Sequence, residues 1–168
     1  MKSSEILDGV FDHLYDNETI KQFCFDEFGK IGTVQKGLDN DEFPPQSLMP
    51  VVVVGPVQRL GRGDSSFITR FLLFISVTIK NKNVTKEPMD TQGDAVSSTQ
   101  GKVEIEGATQ VEEFRELIEQ ELFGYRKNNM IINISGETLT ESDFPIFRSM
   151  TSVEIQVKEL SNRNLSGK

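Results

Sequence analysis

An α+β fold in a single domain spanning residues 1–168 is what this sequence predicts. The expected core is a mixed or antiparallel four-stranded sheet with a long β-hairpin, packed by two helices in the order α-β-β-α-β-β. Three observations carry that expectation. Apolar residues recur at helical spacing near Ile6–Leu14 and Val111–Phe123. β-branched and aromatic residues dominate 51–82 and 147–160. A chain of 168 residues, 36% hydrophobic and 26% charged, suits one globular core.

The first helix is expected over 4–15, where Ile6, Leu7, Val10, Phe11 and Leu14 share a stripe and Glu5, Asp8, Asp12 and Asp16 lie opposite, with Ser3 or Ser4 as N-cap. Residues 17–36 fit either a second short helix or an alternating segment, punctuated by Gly29, Gly32 and Gly37. Residues 37–50 read as a turn-rich connector, since Pro44, Pro45 and Pro50 have no N–H to offer a central ladder. The run Val51-Val52-Val53-Val54 then predicts a strand buried on both faces or against a partner, and Pro56 predicts an edge or a bulge beside it. A turn at 60–65 leads into the longest strand, Phe67 to Lys82, with Phe71, Leu73, Ile75, Val77 and Ile79 on one face.

Residues 83–108 are polar, with one short strand possible at Val103 and Ile105, and otherwise predict a mobile loop. Thr109-Gln110-Val111-Glu112 has the form of a capping box opening the second helix, with Val111, Phe114, Leu117, Ile118 and Leu122 buried and Gly124 as its stop. Met130 to Ile134 is expected as a strand, Ser135 to Asp143 as a polar connection, and Phe147 to Leu160 as the last strand. Residues 161–168 are expected to fray.

Few side chains here suit catalysis. One Cys and one His cannot build a structural zinc site, and one Cys forms no internal disulfide. Cys24, between Phe23 and Phe25, reads as a small buried hydrophobe, and His13 as a solvated helix position without a nucleophile to serve. Asp39, Asp41 and Glu42 lack calcium-loop spacing, and Gly61-Arg62-Gly63 lacks the Lys-Ser/Thr of a phosphate loop. Arg62-Gly63-Asp64 reads as turn chemistry. No enzyme activity, cofactor or metal is therefore expected. The amphipathic N-terminal stretch differs from a secretory signal, so the four Asn-x-Ser/Thr matches at Asn17, Asn83, Asn133 and Asn164 read as chance, and no membrane association is expected.

Charge is unevenly placed. The net charge is −8, but residues 1–50 balance at −6, 51–86 at +5 and 87–168 at −7. An acidic whole argues against general nucleic-acid binding, which needs a domain-scale positive field. The basic block predicts a local positive surface, complementary to the acidic face of the second helix.

The order of these elements resembles that of the tail terminator (tail completion) proteins of long-tailed bacteriophages. The likeness is carried by Ile6–Leu14, Met49-Pro50-Val51-Val52-Val53-Val54, Phe67–Lys82, Val111–Phe123 and Phe147–Leu160. It implies a virion structural protein at the tail–head junction, assembled in the host cytoplasm. Such a protein forms a homo-hexameric ring that caps the tail tube, ends its polymerisation and meets the head connector or neck protein. DNA would pass through the ring without sequence-specific binding. Candidate contact residues are Val51 and Val53 for strand addition along the Val51–Val54 edge, Arg59, Arg62, Arg70, Lys82 and Lys86 on the basic side, and Glu113 and Glu116 on the acidic side. The alternatives are another head–tail neck ring protein, or a non-viral monomeric α+β binding module.

Overall fold

The computed structural model describes residues 1–37, 44–62, 67–86, 103–126 and 129–158. Three helices, α1 (Ser3–Tyr15), α2 (Glu18–Phe28) and α3 (Glu106–Gly124), accompany a mainly antiparallel sheet. Its strands are β1 (Thr33–Lys36), β2 (Val51–Arg62), β3 (Ile68–Lys80), β6 (Met130–Asp143) and β7 (Ile146–Lys158), in the spatial order β1-β2-β3-β7-β6. A separate two-stranded ladder pairs β4 (Val84–Lys86) with β5 (Val103–Ile105).

The main sheet is covered by helices on one face. Ile6, Val10 and Leu14 of α1 and Val111, Phe114, Ile118 and Leu122 of α3 are at most 1% exposed, and they meet Val52, Val54, Phe71, Leu73, Ile75, Val77, Ile79, Val153 and Ile155 from the strands. Paired residues on neighbouring strands share a face, so Val52↔Val77 and Leu73↔Val153 place whole rows of the sheet in this core. Phe23 and Phe28 of α2 wedge against Phe114, the Phe23 and Phe114 rings stacking with centroids 5.3 Å apart.

The expected α+β class holds, and β2-β3-β7-β6 are the antiparallel part of a five-stranded sheet. The four-strand count and the two-helix count do not. Residues 17–36 supply both a helix and a strand: Asn17 caps α2 by accepting from the Ile20 N–H at 3.0 Å, Gly29 ends it at φ 68°, and β1 then pairs parallel to β2 from Thr33↔Val51 to Lys36↔Val54. The cap on α1 is Lys2, whose N–H donates to Glu5 at 2.8 Å, not Ser3 or Ser4. The register shift between Val54 and Val57 is the bulge expected near Pro56, and Gly55 occupies it at φ 118°, a conformation that L side chains rarely adopt.

Two expectations about α3 fail. The helix begins at Glu106, directly after β5, so the Thr109 box lies inside it, and Gly124 is its last residue while Tyr125 is the C-cap with extended backbone. The helix can start early because Ile105 enters it straight from the β5 ladder, with Asn83 donating to the Glu106 carboxylate at 2.8 Å. Leu117 is half-buried, while the rest of its expected stripe is buried.

The polar connection at Ser135–Asp143 is instead the second half of β6, paired with β7 from Thr138↔Thr151 to Asp143↔Ile146 after a register shift. The turn at 60–65 starts later than expected, since β2 runs to Arg62. The expected loop at 83–108 contains the β4–β5 ladder and the first residues of α3; 87–102 and the tail at 159–168 lie outside the described residues.

Candidate functional site

The sheet has two outer edges, and they differ in chemistry. On the β2 side, β1 covers β2 along 51–54, and among the described residues the edge from 57 to 62 carries no strand partner on its outer side. Gln58, Arg59 and Leu60 are exposed there, Leu60 at 42%. Arg59 pairs with the core residue Phe71 and so projects on the helix-covered face, where it makes no ion pair among the described residues. On the opposite side, β6 is the last strand, and α3 lies over it and β7.

The α3 surface beside β6 is acidic. Arg115 contacts Glu112 at 3.0 Å, Glu119 at 2.6 Å and Glu116 at 3.6 Å, three carboxylates gathered around one guanidinium. Burial opposes the Arg115 charge, but the hydrogen bonds to Glu119 and Glu112 prevail and raise its pKa. A groove of about 600 Å³ runs between helix and strand, lined by Arg115, Glu116, Glu119, Gln120, Phe123 and Ile134. Phe123 is 59% exposed at its mouth.

The contact residues expected from sequence divide sharply. Glu113 and Glu116 are exposed on α3, and Arg59 is exposed at the β2 edge. Val51 and Val53 are 0% and 2% exposed and pack with Met49 and Ile146, with their strand edge occupied by β1. Strand addition at Val51–Val54 is therefore excluded in this fold, because β1 already satisfies those backbone groups. Arg70 is half-buried on the helix-free face, paired with Gln156, and its Nε is buried without a partner among the described residues. It is no fully exposed hairpin-tip charge. The side chains of Arg62 and Lys86 lie outside the described residues, although their backbones end β2 and β4.

Lys82 stands at a second feature, a polar cleft of about 580 Å³ between the end of α2, the end of β3 and the start of α3. Lys30, Lys80 and Lys82 line it together with Glu27 and Glu106. Lys80 donates to Gln46, and Asn81 donates to Gln110, which donates to Glu27 at 2.9 Å. Gln46 comes from the expected connector, Asn81 from the end of the expected long strand and Gln110 from the expected capping box, so their convergence had no sequence signal.

His13 and Cys24 both sit against neighbours. The His13 ring stacks on Tyr125 at 4.3 Å, and its Nε2–H tautomer donates to the Glu121 carbonyl at 3.1 Å. It is a packing residue joining α1 to α3, and only half-exposed, where a solvated position was expected. Asn17, read as a chance sequon, also donates to the Glu121 carboxylate at 2.6 Å. Cys24 is buried, as expected. Among the described residues no group of three His, Cys, Asp or Glu could hold a metal ion, and no helix is long and apolar enough to cross a membrane.

A scan against protein-family models and a search of the curated proteins find no match for this chain.

Proposed function

We propose that the chain is a virion structural protein forming a hexameric ring that caps the tail tube, ends its polymerisation and joins the tail to the head or neck. The observation that carries the reading is the separation of unlike charge across one sheet: at one edge an Arg59 with no ion pair among the described residues, and the Glu113–Glu116–Glu119 surface at the other. A closed ring requires a heterologous interface, in which one side of each subunit fits a different side of the next. A compact sheet that presents unlike surfaces at its two edges supplies that requirement. The order of elements on which the resemblance rests, from α1 through the β2–β3 hairpin to α3, β6 and β7, supports assigning the ring to the tail end.

Negative-stain microscopy of the protein mixed with tail-tube subunits tests this. Ring-shaped caps and tubes of limited length are expected; tubes that grow uncapped, with no rings, would sink the reading. Labelling the protein in whole particles separates a terminator, which touches the tube, from a neck ring, which touches the portal.

A further inference from the structure

Three ammonium groups share the polar cleft at the end of β3, and their charge is left without a counter-charge. Lys30, Lys80 and Lys82 are exposed and line the cleft together with Glu27 and Glu106. Both carboxylates are held by neutral amides instead: Gln110 donates to Glu27 at 2.9 Å and Asn83 to Glu106 at 2.8 Å. Lys80 donates to the Gln46 side chain, and Lys30 reaches the Ser47 carbonyl at 3.4 Å. Among the described residues none of the three lysines makes an ion pair. We infer that this cleft binds a short acidic peptide segment of a partner protein, its carboxylates pairing with Lys30, Lys80 and Lys82.

Three features fit this occupant. The volume, about 580 Å³, lies within the span of about 300–1,000 Å³ usual for ligand sites. The first turn of α3 borders the cleft through Glu106, and Ile105 at its N-cap makes no side-chain cap bond, so the positive end of a 19-residue helix adds to the lysines. Gln46, Asn81, Asn83 and Gln110 also line it, and each amide offers both a donor and an acceptor, as a peptide main chain requires. Phosphate is served less well. No arginine, whose planar fork matches phosphate, lines the cleft, and Glu27 and Glu106 repel a continuous run of phosphates. The same two carboxylates can accept from peptide N–H groups between acidic side chains. The site goes beyond the ring proposed above and does not rest on it, since a peptide can be held by one copy or by six.

Fluorescence anisotropy of a labelled octapeptide of alternating Glu and Ser, titrated with the full chain, tests this. The net charge of −8 opposes any acidic peptide, so binding reports the cleft and not the bulk field. Saturable binding is expected, weakening as salt rises from about 0.1 M towards about 1 M. Lys30→Glu and Lys82→Glu should each lower the affinity about fivefold. Both side chains are exposed, and thermal melts check that the variants fold. Lys158→Glu makes the same change in net charge at the far end of the sheet, because Lys158 pairs with Ile68 whereas Lys80 pairs with Ile146. That variant should stay within about twofold of the unaltered chain.

No saturable binding at about 1 mM peptide overturns the inference. So does a loss in Lys158→Glu as large as in Lys82→Glu, which would report net charge alone. Tighter binding of a thymidine octanucleotide than of the acidic peptide would assign the cleft to phosphates and overturn the peptide reading. Equal binding of an octapeptide of alternating Lys and Ser would mean that Glu27 and Glu106, and not the lysines, hold the ligand, and overturns it as well.

Discussion

Gly107 and Phe147 meet where α3 starts, and there two effects of one methyl group oppose each other. Alanine is favoured over glycine in a helix by about 1 kcal/mol. A Cβ at Gly107, however, would lie 2.2 Å from one Phe147 ring carbon and 2.5 Å from another, and that ring is 2% exposed in the core. Overpacking of this kind costs about 1–3 kcal/mol, so Gly107→Ala should destabilise, and urea unfolding of the double variant with Phe147→Leu should recover part of the loss. A more stable Gly107→Ala would show that the ring moves freely. Cys24 makes a second case. Burial pushes its thiol up to about 11 against an opposing hydrogen bond from the Gly32 backbone, and a Cβ on Gly32 would sit 2.7 Å from Sγ. The unfolded thiol ionises near about 8.5, so between these values the unfolded chain binds fewer protons and stability falls as pH rises. Native Cys24 should resist iodoacetamide at pH 8 and react on unfolding. Rapid alkylation of the native protein would show that the thiol is reached without unfolding.

Between α3 and the β6–β7 hairpin runs a polar seam that explains what was and was not legible in the sequence. Glu112 accepts hydrogen bonds from Thr140, from Ser149 at 3.1 Å and from Arg115 at 3.0 Å. Burial works against its charge, yet these three donors together hold the carboxyl below its ordinary value. That stabilisation is present above about pH 4.3, the unfolded value, and is lost as pH falls through the lower folded value. Glu112→Gln should therefore destabilise by about 1 kcal/mol at pH 7, a charged hydrogen-bond contribution discounted for partial exposure. The gap should close below pH 4 in urea titrations, and a gap constant with pH would refute the charge-based account. Glu112 satisfies Thr140 and Ser149, and this side of β6 carries Thr138, Thr140 and Ser142 in place of the apolar alternation that marks a strand, so Ser135–Asp143 read as a polar connection. Alternation was faithful where hydrocarbon meets hydrocarbon, as along Phe71–Ile79 and Val153–Val157. It failed for β1, whose four residues follow from pairing with β2 rather than from any pattern of their own. Of the contact residues, Arg59, Glu113 and Glu116 were legible as charge on solvent-facing positions; Val51 and Val53 were misread as contacts because β1 was unseen.

At the scale of the whole molecule, salt distinguishes the net charge from its arrangement. Two copies each carrying −8 repel over tens of ångströms, whereas an attraction between the Arg59 edge of one and the acidic α3 surface of the next, of the kind the proposed ring requires, acts across a few. The screening length falls from about 30 Å at 0.01 M salt to about 10 Å at 0.1 M and about 3 Å at 1 M. The first step removes most of the repulsion and spares the contact; the second weakens the contact as well. Association, followed by sedimentation with tail-tube subunits, should therefore rise from about 0.01 M towards about 0.1 M and fall again by about 1 M. The thermal midpoint of the single subunit should change little over the same range, because its interior is held mainly by apolar contact among α1, α3 and the sheet. Arg59→Glu should abolish the falling limb, since it leaves only repulsion to be screened. Association that climbs steadily to 1 M in the unaltered chain would mean that apolar surface joins the copies, and that the division of charge between the two sheet edges serves another partner.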